Sequence, residues 1–217
     1  MKGDKLLQIG ISLLLALCTS VLAQAQQPVV DKEYKLINPP QPNTTGKKVE
    51  VIEFFSYACP HCAEVEPALQ DWLKRKPKDV EYKMVPMVFR DAWKPTAKLY
   101  YSLEAMGLID KYHGKVYEIH KNNKDLSTDE AVKQWAKDAG IEAAKFNQVY
   151  DSFGIDAKVQ RSMTMGRAYG VQFTPSLAIN GKYFTGPSMA GGGHGTDYKR
   201  FFAVVDQLIE MERKKKN

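Results

Sequence analysis

The chain has 217 residues, of which 44% are hydrophobic, 26% charged and 11% aromatic, with a formal net charge of +6. That length buries a full core without staples, and the balance of apolar and charged residues excludes disorder and fibrous repeats as the dominant state. The mild positive charge, without recognition motifs or interleaved aromatics, gives no ground for a nucleic-acid partner.

The first stretch has the layout of a secretory signal peptide. Lys2 and Lys5 precede an apolar run from Ile9 to Leu17, and Ala23-Gln24-Ala25 supplies the small residues of a cleavage site. Residues 1–25 are therefore expected to be removed. The run is interrupted by Cys18, Thr19 and Ser20, short of the about 20 apolar residues a membrane span requires. Cys18 leaves with the leader, so the exported chain keeps two cysteines, Cys59 and Cys62.

Residues 26–48 read as an N-terminal extended segment, with Asn38-Pro39-Pro40-Gln41-Pro42-Asn43 as a stiff connector and Tyr34–Ile37 as an edge strand. Val49–Phe55 reads as a buried strand, because β-branched and aromatic residues fill both faces. Pro60 suits a first helical turn, and Val65, Leu69, Trp72 and Leu73 continue an apolar stripe to about Arg75, with a kink expected at Pro67. A further strand is expected at Val80–Val85. Helical periodicity follows over Ala97–Met106, Ile109–His120, Thr128–Ala139, Ala143–Phe153 and Asp156–Tyr169. Ser176–Ile179 and Tyr183–Thr185 read as a hairpin around Asn180-Gly181-Lys182, and Thr196–Glu212 as a last amphipathic helix. The basic run Arg213-Lys214-Lys215-Lys216 suits a solvated helix end. Strands on both sides of a helical block predict one α/β domain with an inserted helical subdomain, since the two strand groups need each other to make a sheet.

Cys59-Pro60-His61-Cys62 places two thiols at a helix start after a buried strand. That spacing serves a redox pair or half of a metal site. A passive bridge across so short a loop would remove little chain entropy. As metal ligands the two cysteines fall short of the four that structural zinc takes, and His113, His120 and His194 are scattered, the first two expected on helix surfaces. In the redox reading, the unpaired N–H groups of the helix N-terminus stabilise a Cys59 thiolate, Cys62 is the resolving thiol, and His61 adds donors or charge nearby. Thr174-Pro175, ahead of the hairpin, is a bond type that can adopt the cis form. Phe173, Met163, Met165 and Met189 suit core packing, the alternative being the groove of a peptide-binding chaperone.

Glu53-Phe54-Phe55-Ser56-Tyr57 leading into Cys59-Pro60-His61-Cys62, with Gly170-Val171-Gln172-Phe173-Thr174-Pro175-Ser176 far downstream, resembles the DsbA family of bacterial disulfide oxidases. The resemblance implies a thioredoxin fold, a central mixed sheet flanked by helices, formed by residues 49–90 and 168–217 with an all-helical insertion at 91–167. It implies a periplasmic thiol:disulfide oxidoreductase that introduces disulfides into exported proteins through a Cys59–Cys62 disulfide and needs no prosthetic group. Reoxidation by a DsbB-type quinone-coupled membrane protein comes with it. A disulfide isomerase or reductase on the same fold is the alternative activity. Pro60 and His61 become the intervening residues of the catalytic motif, Pro175 the cis-proline facing the cysteines in a substrate-binding loop with Thr174, and Glu53 a buried proton acceptor for Cys62. Thr174 brings a hydroxyl able to hydrogen-bond a cysteine sulfur. A monomer is expected, because no coiled-coil repeat or exposed apolar seam is evident.

Overall fold

The computed structural model describes residues 27–191 and 197–214. The expected signal peptide with Cys18, His194, Lys215 and Lys216 lie outside these residues.

The organising element is β2 (Val49–Phe55), whose seven residues are all buried. It pairs in parallel with β3 (Val80–Pro86), Val51 opposite Tyr82 and Glu53 opposite Met84. On its other edge it pairs antiparallel with β4 (Ser176–Ile179), Ile52 opposite Ala178. The early and late strand groups therefore share one sheet. Its order is β1-β5-β4-β2-β3, with β1 (Lys35–Leu36) and β5 (Tyr183–Thr185) completing the antiparallel edge.

Alternation along β2 divides the core. Val49 and Val51 face α1 (Pro60–Arg75) and α8 (Tyr198–Lys214), packing with Val65, Leu69, Val204 and Leu208. Ile52 and Phe54 point to the opposite face with Val85, Tyr169 and Phe184. Such two-sided burial is what a strand without polar alternation demands. Because β2 and β3 are parallel, the chain between them must cross over, and α1 is that crossover. Pro67 lies inside α1, which runs unbroken to Arg75.

Between β3 and β4 lie α2 (Lys94–Ala105), α3 (Ile109–Lys121), α4 (Asp129–Asp138), α5 (Ala143–Tyr150) and α6 (Phe153–Ala168), entered through a one-turn 3-10 helix at Asp91–Trp93. Their apolar faces join Leu99, Leu103, Val116, Phe146 and Tyr150 to Phe55, Tyr57, Cys59 and Cys62 in one core. The two cysteines thus sit where the helical block meets the sheet.

Local details differ from the sequence reading. Helix α5 stops at Tyr150 because Ser152 is extended at φ −75°, ψ 143° and its carbonyl accepts from the Ile155 N–H. Gly154 accordingly lies in the first turn of α6 instead of separating two helices. A short helix, α7 (Pro187–Ala190), follows the hairpin and had no counterpart in the periodicity. The proline-rich stretch is not a free connector: Asn38–Pro39 is cis, and Gln41 N–H donates to the Gly181 carbonyl at 2.8 Å. That docking needs the hairpin turn to be glycine. Gly181 has φ +66°, and a Cβ there would lie 2.0 Å from the Gln41 carbonyl oxygen.

Candidate active site

Strand β2 ends in the loop Ser56-Tyr57-Ala58, and the Ser56 carbonyl accepts from the Cys59 N–H at 3.1 Å. Cys59 is the N-cap of α1, extended at φ −100°, ψ 114°, with Pro60 in the first turn and no side-chain cap. Proline suits that position because its missing N–H would be unpaired anyway. The helix N-terminus therefore directs its free N–H groups at the Cys59 sulfur instead of at a capping oxygen.

Cys59 is 5% exposed and Cys62 wholly buried, and both are free thiols. Their environments drive them apart. The Cys59 thiol is lowered to about 6, first by the hydrogen bond from Cys62, against an opposing desolvation cost, and then by Thr174 and the backbone N–H groups of Cys62 and His61. The Cys62 thiol is pushed well above its ordinary value by burial, with the charge of Cys59 and of Glu53 adding to it. One sulfur is thus a thiolate at neutral pH and the other a thiol.

The downstream loop closes over the pair. Thr174–Pro175 is cis, and in the thiol form Cys59 Sγ donates to the Thr174 carbonyl at 3.4 Å. The loop is held from behind, since a Cβ on Gly186 would lie 3.0 Å from the Pro175 carbonyl oxygen and 2.5 Å from the Phe173 ring. His61 stands beside the pair with its ring turned outward. Its side chain is 74% exposed and its Nδ1 lies 2.9 Å from Glu64 Oε2, which raises its pKa; Cys59 is the last contributor to that shift. What His61 brings to the sulfur is chiefly its backbone N–H.

Glu53 is 1% exposed, on the face of β2 turned toward α1. Burial raises its carboxyl to about 8, opposed by a hydrogen bond from the Tyr82 hydroxyl and reinforced by the nearby Glu66. Tyr82 reaches it because the parallel register aligns Val51 with Tyr82 and Glu53 with Met84, so that these side chains share a face.

The expectation that His113 lies on a helix surface is corrected, while His120 is half-buried. His113 is 7% exposed, with Nδ1 2.8 Å from the Tyr57 hydroxyl and Nε2 3.3 Å from Glu66 Oε1, among the rings of Phe55, Tyr57 and Tyr117. His120 Nε2–H donates to the Tyr57 carbonyl at 2.8 Å. Both imidazoles point from α3 onto the loop ahead of Cys59. Sequence alone did not single out Tyr57, Glu66, Tyr82 or these roles. Strand alternation marks Tyr82 once the register is known, whereas the docking of α3 on α1 leaves no local trace.

Comparison with known proteins assigns this arrangement. The thioredoxin family (Thioredoxin_4) matches residues 45–192. The thiol:disulfide interchange protein DsbA of Bordetella parapertussis is 43% identical over 197 residues, covering 90% of this chain and 92% of that protein. The chain belongs to the DsbA family. The DsbA of Pseudomonas aeruginosa is 34% identical over 88% of this chain and 89% of its own length. Its crystal structure superposes with a TM-score of 0.79 at 33% identity, covering 86% of this chain and 95% of that one. This DsbA-family protein has the thioredoxin fold with an inserted helical region, and it is a thiol:disulfide oxidoreductase that introduces disulfide bonds into cysteine-containing proteins.

Proposed function

We propose that Cys59 and Cys62 form the exchanging disulfide and that Cys59 alone reacts with substrate. A client chain lies in extended form beside Thr174 and Pro175, and its thiolate attacks Cys59 Sγ. The substrate–Cys59 disulfide forms, the Cys59–Cys62 bond breaks, and the electron pair departs on Cys62. Glu53, protonated at neutral pH because its carboxyl is raised to about 8, supplies the proton that the buried Cys62 thiolate requires. A second client thiolate then attacks the client sulfur of the mixed disulfide. Cys59 leaves as the thiolate that the α1 N-terminus stabilises, the client carries the new disulfide, and the protein holds the two electrons.

Pro60 supports this by starting the helix at the sulfur, and His61 by its backbone donor. The reduced pair is reoxidised by a DsbB-type quinone-coupled membrane protein, with Glu53 taking back the Cys62 proton. The protein works as a monomer in the periplasm after loss of residues 1–25. Among the described residues no helix is long and apolar enough to cross a membrane. The working unit divides into an N-terminal segment at 26–48, a thioredoxin domain at 49–90 and 168–217, and an inserted helical subdomain at 91–167.

The observation that carries this reading is the unequal pair, a thiolate-forming Cys59 at the helix end and a buried Cys62 behind it. Replacing each cysteine by serine tests it. Cys59→Ser abolishes oxidation of a reduced peptide, whereas Cys62→Ser accumulates a covalent adduct with a peptide activated at its cysteine. Equal behaviour of the two variants rejects the assignment.

A further inference from the structure

A recess opens beside the loop ahead of Cys59, without involving the Thr174–Pro175 loop. It is a cleft of about 240 Å³ whose lining includes Ala58, the residue next to Cys59, together with Trp93, Ile119 and Leu126. The apolar surface continues outward through the exposed Phe89, whose ring lies 5.7 Å from that of Trp93. The wall is fixed relative to the sulfur, because His120, also in the lining, is bonded to the carbonyl of Tyr57 two residues before Cys59.

The rim is cationic. Arg90 and Lys124 line the cleft, both are exposed, and neither forms an ion pair among the described residues. Arg90 instead sits 5.1 Å over the Trp93 ring. The acidic lining residue, Asp125, is turned onto Ser127, accepting from its N–H and its hydroxyl at 2.8 Å each. Two cations without ion-pair partners among the described residues thus stand, against the single carboxylate of Asp125, over an apolar floor that reaches Ala58, the neighbour of Cys59. An extended chain advances about 3.3 Å per residue, and because Ala58 of the lining is the neighbour of Cys59, client positions within a few residues of the reacting cysteine are the ones that can reach the cleft.

We infer that this cleft is a substrate subsite of the Cys59 centre, receiving an apolar side chain that stands beside a carboxylate in the client. The inference rests on the oxidase reading and adds a sequence preference to it: clients with a hydrophobic residue next to Asp or Glu near the cysteine are oxidised faster than those with Lys in that place. Opposite charges on the rim steer the encounter and hold the register, and the floor removes the apolar side chain from water.

The test uses the full oxidised protein and reduced peptides carrying Phe-Glu, Phe-Lys or Gly-Glu on both sides of the reacting cysteine, with second-order oxidation rates as the readout. Phe-Glu is expected to exceed Phe-Lys by about fivefold, the scale of one or two exposed charge pairs. It also exceeds Gly-Glu. The Arg90→Glu/Lys124→Glu variant inverts the Glu-to-Lys preference, and about 0.5 M salt shrinks it in the native protein. Equal rates for Phe-Glu and Phe-Lys, or a preference unchanged in the double variant, overturn the subsite while leaving the oxidase reading standing. Failure to oxidise any of the peptides overturns the oxidase reading and the subsite with it.

Discussion

At the level of single residues, the proposed exchange depends on which sulfur holds a proton, and Thr174 and Glu53 both bear on that. Thr174 hydrogen-bonds the Cys59 sulfur and lowers its pKa. Thr174→Val keeps the shape and removes the donor, so the Cys59 pKa rises, by about one unit for one charge-assisted hydrogen bond. Alkylation rate against pH measures this, and an unmoved profile shows that the hydroxyl does not act on the sulfur. Glu53 works in the opposite sense. Its folded pKa of about 8 lies above the unfolded value, so the neutral carboxyl favours the fold below the unfolded pKa, and this contribution declines as pH rises and is gone above about 8. Glu53→Gln stays uncharged throughout. Native stability, measured relative to this variant by denaturant unfolding, falls between about pH 4.5 and 8; a constant difference would mean that Glu53 ionises freely.

At the level of elements, the junction between α1 and α3 is polar in an otherwise apolar core. Tyr57 is hydrogen-bonded to His113, whose Nε2 lies 3.3 Å from Glu66 of α1, and Gln70 donates to Glu66 from the next turn at 2.8 Å. His113→Phe fills the space but strands the Tyr57 hydroxyl, whose partner is His113 Nδ1, costing about 1–3 kcal/mol. A lower denaturant midpoint with an unchanged slope records it; an unchanged midpoint removes the junction from the fold's support. This junction also marks how far the sequence could be read. Val49–Phe55, Pro60–Arg75 and the Asn180-Gly181 hairpin announce themselves by local pattern, because two-sided burial, a first-turn proline and a positive-φ turn are properties of neighbouring residues. Cys59, Cys62 and Pro175 were legible through motif and resemblance. His113 was not: its helix is amphipathic from any viewpoint, and only the docking of α3 against α1 decides that its polar ring faces inward. The same holds for Tyr82, whose contact with Glu53 depends on a register no local window contains.

For the molecule as a whole, the redox state of the pair is linked to folding stability through pH. In the reduced form Cys59 titrates at about 6, below the ordinary thiol range, so its ionised state favours the fold. That contribution is fully present above the unfolded pKa and is lost as pH falls through about 6. The oxidised protein has no Cys59 thiol to titrate. The stability of the reduced form relative to the oxidised form therefore increases by about 1 kcal/mol from pH 5 to pH 7, and by about 3 kcal/mol in total by pH 9. Cys62 opposes the trend only at the alkaline end, because its own pKa is raised by burial. Paired denaturant unfolding of reduced and oxidised protein across this range measures the difference directly. A pH-independent gap would mean that the fold gains nothing from the Cys59 thiolate, and the oxidising character of the disulfide would then need another source. A gap that opens with rising pH ties the oxidising strength to the same helix N-terminus, Thr174 hydroxyl and backbone donors that hold the leaving sulfur, since stabilising the reduced protein strengthens the disulfide's pull on client electrons.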